Sequence, residues 1–443
     1  MSLWQPADVE KALGVYGLPQ FIATGVSIDT RTLEKGDMFV ALSDQTDGHA
    51  YVAAATQKGA AAVVVSRLIE GVDIPQVLVP DTQKALEQLG RYARERATRL
   101  KSVAITGSSG KTSTKEMLAA ALKAHRSVAS YNNHFGVPLT LARMPADTAY
   151  GVFEIGMNHA GEIAPLAQQV QPHIALVTNV GTAHLGNLGS VEAIRVEKLS
   201  IAQSLPEGGL LIVPHDLDTA GIPAHVQVLR FGGEGSDAVA TQTLPQGDGW
   251  KVWAIIRGEN VVFDVPHPGV HQVTNALAAL LAAHVAGEDL GTAALRLSRA
   301  EVMSGRGKVY HVGGAVVIDD SYNANPSSMA AALQTLVKRP ATRRIAVLGD
   351  MLELGDMAEA YHKGLVTECD GVDSVMTVGL LSEVLQNNLP PPQQGGHFTK
   401  QDDVALSLHA GDVILVKGSN GIGLSHFVDR LLTAHNGKTK HAV

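Results

Sequence analysis

The run Thr106-Gly107-Ser108-Ser109-Gly110-Lys111-Thr112-Ser113 constrains this chain more than any other stretch. It follows a short β-rich run, residues 102–106, and opens a helical pattern over residues 111–125. Glycines let backbone N–H groups curl around phosphate oxygens, and the helix N-terminus adds a favourable dipole. Lys111 suits β- and γ-phosphate charge, and the Thr112 hydroxyl suits Mg²⁺. The general pattern asks for glycine five residues before Gly110, where this chain has Ile105. The loop is therefore a shortened form, set in an α/β unit with a buried parallel sheet.

At 443 residues the chain is too long for one core, and about 150 residues per domain suggests three. The expected divisions are 1–81, 82–304 and 305–443. The first holds strand-like runs at 38–42, 61–65 and 76–79, with a helical stretch at 51–58. A charged helix at 82–98 bridges to the second. There, apolar runs at 150–155 and 174–178 continue the strand–helix alternation, and residues 250–256 and 260–265 flank Arg257-Gly258-Glu259 as an antiparallel hairpin. Helices are expected over 191–205 and 273–285. After Gly305-Arg306-Gly307 the alternation restarts with strands at 315–318, 344–348, 374–378 and 413–416, which reads as a separate doubly wound domain. The Pro/Gln-rich stretch 389–396 reads as a surface loop.

Composition narrows the function classes. A formal net charge of −8 argues against a nucleic-acid-binding surface, which needs clustered Lys and Arg. One cysteine, Cys369, allows no internal disulfide and no Cys-based metal cluster. The first residues lack a basic region followed by an apolar stretch, and no run of about 18 apolar residues occurs. The expectation is a cytoplasmic protein without membrane insertion.

Further segments fall in order along the chain: 153–163 (FEIGMNHAGEI), 178–185 (TNVGTAHL), 271–276 (HQVTNA), 319–326 (DDSYNANP), 348–355 (LGDMLELG) and 417–419 (KGS). With the shortened phosphate loop, this set resembles the Mur ligase family, over about residues 27–419. The resemblance implies three α/β domains: an N-terminal domain for a UDP-sugar substrate, a central ATPase domain with a mainly parallel sheet, and a C-terminal Rossmann-like domain. It implies an ADP-forming ligase that joins D-alanyl-D-alanine to UDP-MurNAc-tripeptide through an acyl phosphate, with ATP and Mg²⁺ as cofactors. A monomer is the simplest expectation. The Ser-Tyr-Asn-Ala-Asn-Pro run separates this reading from sister ligases of the family, which carry His-containing versions there. An ATP-binding switch and a small-molecule kinase are the readings from other classes.

The resemblance also implies residue roles. Glu154, at the C-terminal edge of a strand, would join Thr112 as a Mg²⁺ ligand, and His184 would serve a second metal. Lys198 would be carbamoylated, so that a cation becomes a carboxylate-like ligand. Lys111, Lys198 and His184 are thus the catalytic candidates. His271 and Asn275, at i and i+4 on one helix face, would face the nucleotide with Asp320 and Asn323, and Arg306 would reach a phosphate on domain closure. The family commonly has Asn where this chain has Gln272. For the UDP-sugar and peptide, Ser27, Thr30, Arg31, Asp47, His49, Asn132, Asn133, Gly136 and His159 are the candidates.

Overall fold

The computed structural model describes residues 2–44 and 46–436. The outer ends of the first and last expected domains, residue 1 and residues 437–443, lie outside the described residues. Three sheets organise the rest. β1 (Gly25–Ser27), β2 (Asp37–Val40), β3 (Ala62–Val65) and β4 (Gln76–Leu78) form a parallel sheet in that order.

The second sheet has nine strands: β5 (Lys101–Thr106), β6 (His125–Arg126), β7 (Tyr150–Glu154), β8 (Ile174–Val177), β9 (Leu210–Pro214), β10 (Gln227–Phe231), β11 (Ala238–Gln246), β12 (Gly249–Ile256) and β13 (Glu259–Val265). Their spatial order is 13-12-11-10-9-8-5-7-6, parallel except at the β11–β12–β13 end. The third sheet contains β14 (Lys308–Val312), β15 (Ala315–Asp320), β16 (Arg343–Gly349), β17 (Ser374–Val378), β18 (Gln394–Phe398) and β19 (Asp412–Lys417), in the order 14-15-19-16-17-18. Only its β14–β15 pair is antiparallel.

Apolar runs without polar alternation become central strands because both faces are covered. Val103, Ile105, Ile174, Leu176 and Ile212 pack into one core, against the helices Lys111–Leu122 and His271–Val285. The intervening Ala104, Ala175, Val177, Leu211 and Val213 fill a second core on the other face. Ile105 belongs to the sheet interior, which is why the phosphate loop starts two residues later.

The helix Thr82–Arg96 joins the first two sheets as expected. Its Ala85, Leu86, Leu89 and Ala93 share a core with Val64 and Val77 on one side and with Leu139 and Ala142 on the other. A Cβ on Gly90 would lie 2.9 Å from the Pro138 carbonyl, so a side chain there would force the two helices apart. Trp4, fully buried, donates to the Ala142 carbonyl at 2.9 Å beneath the Arg96 guanidinium.

Three expectations change. Residues 389–396 are not wholly loop: Gln394–Phe398 pairs with β17 as an edge strand, through glycines that give no apolar signal. The helix from Val191 ends at Leu199 and tightens into a 3₁₀ turn, Ser200–Ser204. The helix from Lys111 ends at Leu122, and His125 begins β6 instead.

Candidate active site

Thr106 is the last residue of β5, and Glu154 the last of β7. Ligands of open α/β sheets bind beyond these C-terminal edges. Here the edge opens into a cleft of about 680 Å³, walled on its far side by the C-terminal domain. The candidates Ser108, Ser109, Gly110, Lys111, Thr112 and Ser113 line it. So do Asn132, Asn133, Glu154, His184, His271, Arg306, Asp320 and Asn323.

The loop holds its shape through a neighbour that sequence reasoning quoted but did not assign. Thr178 donates to the Thr106 and Ser109 carbonyls, at 3.3 and 2.5 Å. Asn179 accepts from the Ser109 N–H at 2.8 Å and donates to its hydroxyl at 2.6 Å. Gly107 has φ +152°, and a Cβ there would fall 1.8 Å from the Thr178 hydroxyl, so this approach requires glycine. Gly110 has φ +78° and abuts the Asn275 amide. Asn275 thus buttresses the loop from behind and donates to Gln272 at 2.9 Å. Gln272, the departure from the family pattern, orients Asn275 and lines the cleft itself.

Lys111 curls back to donate to the Gly107 carbonyl at 2.6 Å. Burial pulls its ammonium below the ordinary lysine value, while Glu154 opposes that shift. Thr112 donates to Glu154 Oε2 at 2.9 Å, and Asn132 to Oε1 at 2.8 Å. Glu154 is 1% exposed, so both carboxylate oxygens are held by neutral donors inside the protein.

Lys198 is also 1% exposed. Desolvation first, then repulsion from Lys111, pushes its ammonium well below the lysine range. Among the described residues no hydrogen bond or ion pair engages it. Neighbouring Glu197 is buried too and accepts from Gly161 and Ile163 N–H groups at 2.8 and 2.9 Å. It thereby pins the segment after β7, a role that only the folded chain reveals.

The C-terminal wall comes from strand ends and the 304–307 turn. Asp319, buried, accepts from Gly305 N–H, the Ser304 hydroxyl, Ser321 N–H and the Ser321 hydroxyl. That grip presents Arg306, which stacks over Tyr322 at 3.9 Å and donates to Ser130 at 3.0 Å across the cleft. Lys417, at the end of β19 and 2% exposed, donates to Asp320 at 2.7 Å and to the Asn323 carbonyl at 2.8 Å. Glu353 completes this wall, its Oε2 2.9 Å from His184 Nδ1.

Other candidates lie away from the cleft. Ser27 is buried and caps its own turn at the Asp29 carbonyl. Arg31 forks onto Asp29 in solvent, and the Thr30 carbonyl accepts from Lys58. His49 is buried, accepts from the Ser66 N–H at 2.9 Å through Nε2, and contacts Asp47 at 2.6 Å through Nδ1. Asp47 also pairs with Arg67, the largest influence holding its carboxyl below the usual range. These contacts make His49 a brace for the 47–49 turn. Asn133, by contrast, lines the cleft, and it accepts from Phe135 and Gly136 N–H groups, starting the helix Gly136–Ala142. His159 is exposed.

A phosphate loop beside a buried carboxylate, faced across a cleft by a second α/β domain, is the arrangement of an ATP-dependent enzyme of phosphoryl chemistry. Residues 105–283 match the Mur ligase middle domain, and residues 305–420 the Mur ligase, glutamate ligase domain. The UDP-N-acetylmuramoyl-tripeptide–D-alanyl-D-alanine ligase of Bacillus subtilis is 35% identical, over 96% of this chain and 97% of that protein. The corresponding ligase of Escherichia coli is also 35% identical, over 92% and 93%. The crystal structure of MurF from Acinetobacter baumannii superposes with a TM-score of 0.84 at 32% identity, covering 97% of this chain and 99% of that one. MurF from Thermotoga maritima in complex with ADP gives 0.77 at 25% identity, over 94% and 98%. The chain belongs to the Mur ligase family.

Proposed function

We propose that this chain is the ligase that adds D-alanyl-D-alanine to UDP-MurNAc-tripeptide, with ATP converted to ADP and phosphate. The carrying observation is the cleft itself. Lys111, the Thr112–Glu154 pair and Arg306 converge there from two domains. Full-length relatives named for this reaction support the choice of substrates.

The chemistry follows from these groups. A carboxylate oxygen of the tripeptide terminus attacks the γ-phosphorus, and the bond to ADP breaks. The dipeptide amine then attacks the acyl carbon, loses a proton, and phosphate leaves. Crowded negative charge is the obstacle, and preorganised cations and N–H donors lower it. Lys111 and Arg306 are those cations, with loop N–H groups at the helix start. Arg306 and Tyr322 also cover the cleft, keeping water from the acyl phosphate.

Magnesium fits the donors present: a hydroxyl and a carboxylate are hard oxygen ligands. Among the described residues no three His, Cys, Asp or Glu side chains converge, so substrate phosphate oxygens would complete the shell. When bound, the ion neutralises phosphate charge. Lys198 fits carbamoylation, because a buried, unpartnered amine is neutral enough to react with CO₂, and the resulting anion would sit favourably beside Lys111. Ser27, Thr30, Arg31, Asp47, His49, Gly136 and His159 are proposed on the UDP-sugar and peptide side, with Asn132 and Asn133 at the cleft. A cytoplasmic monomer divided near residues 81 and 304 completes the reading. No helix among the described residues is long and apolar enough to cross a membrane.

The test is phosphate release from ATP and Mg²⁺ with UDP-MurNAc-tripeptide, with and without D-alanyl-D-alanine. Release that requires both, with a pentapeptide product by mass, supports the reading. Release with a different amino acid moves the chain to a sister activity, and a phosphorylated product without free phosphate makes it a kinase.

A further inference from the structure

We propose that Glu353 is a positioning residue: it reaches from the C-terminal domain to orient the His184 imidazole toward the cleft when the two domains meet. The inference rests on the reading of His184 as a metal ligand.

Four observations carry it. Glu353 Oε2 lies 2.9 Å from His184 Nδ1, close enough for an ion pair although off the line of a hydrogen bond. Nδ1 is itself buried and has no other partner. Both residues have φ +64°, a left-handed conformation that non-glycine residues seldom adopt. Two turns, one per domain, thus bend in the same unusual way to bring these side chains together. Between the turns the backbones touch: a Cβ on Gly186 would lie 2.9 Å from the Gly355 nitrogen, and one on Gly355 3.1 Å from Gly186 Cα. The contact therefore exists only while both positions lack side chains.

Chemistry supplies the consequence. A histidine that binds a metal through one ring nitrogen is fixed in orientation and tautomer by an acceptor on the other. With Nδ1 taken up by Glu353, Nε2 is the nitrogen left for the cleft that His184 lines. The acceptor sits on a separate domain. Ordering of this ligand is thereby coupled to domain approach, and the metal site is completed only in the assembled cleft.

Mn²⁺ binding to the full-length enzyme, saturated with a non-hydrolysable ATP analogue and followed by electron paramagnetic resonance, tests this. Glu353→Ala and Gly186→Ala should each weaken one Mn²⁺ by about 10-fold or more, leaving analogue affinity unchanged. Glu353→Gln, which keeps an acceptor for Nδ1–H, should lose less. If His184→Ala weakens that ion and neither Glu353→Ala nor Gly186→Ala does, the positioning role is overturned while the metal reading stands. If His184→Ala changes nothing, the metal reading itself fails. An effect of Glu353→Ala without one from Gly186→Ala overturns the coupling to domain contact.

Discussion

Lys111 and Lys198 bring like charges into one buried neighbourhood, and their environments make them behave differently. Lys111 has Glu154 nearby and a carbonyl to hold. Lys198 has neither. Lys111→Ala should lower kcat/KM by at least about 10²–10³-fold, as expected when a preorganised charge on the transition state is removed; turnover assays check it. Lys198→Ala should lose activity that added short carboxylic acids partly restore, and full activity without them would sink the carbamate. His267 offers a separate residue-scale test. It is 2% exposed with an unpartnered Nδ1, and burial lowers its pKa to about 4. The unfolded chain then binds more protons between about pH 6.5 and 4, so stability falls as pH drops through that window. The cost is about 3 kcal/mol at most. His267→Leu should flatten urea-midpoint profiles there.

Among elements, the phosphate loop and the strand ends beside it were the most legible. The loop's residues are contiguous, so Gly110-Lys111-Thr112 could be read directly, while Glu154, 42 residues on from Thr112, was reached from its place at a strand end and from the resemblance. What braces them could not. Thr178 and Asn179 reach the loop from some 70 residues away, and a loop Thr-Asn has no signature of that task. Likewise, the charged helix around Glu197 and Lys198 reads as solvated until packing buries one face. The 304–307 turn shows the same limit, since Asp319 opens the 319–326 segment with no role to read there, yet it accepts four hydrogen bonds from Ser304, Gly305 and Ser321. Asp319→Ala would strand buried donors and should cost about 1–3 kcal/mol or more, read as a lower Tm with a raised KM for ATP.

At the scale of the whole molecule, α/β units built on parallel sheets were anticipated from chain length and strand–helix alternation, whereas the strand order within each sheet and the contacts between domains were not. The β11–β12 turn carries Asp248 to the C-terminal domain, where Arg339 and His311 bind it. Arg306–Ser130 and His184–Glu353 join the same two domains at the cleft. Partners 63 to 176 residues apart leave no local pattern to find. Asp248→Ala should loosen the nucleotide-free enzyme, seen as a larger radius of gyration in X-ray scattering. An unchanged radius would mean that the other contacts suffice.

Cys369 sits in the core of the C-terminal domain, fully buried, with its thiol pushed up to about 12. At neutral pH it is almost wholly protonated and out of reach of maleimides or iodoacetamide. Since it is the only cysteine of the chain, the native protein is in effect silent to thiol-directed dyes. Two surface cysteines, one on either side of the cleft, would take a fluorophore pair without first deleting a native residue. Energy transfer between them would report the opening and closing of single molecules during turnover.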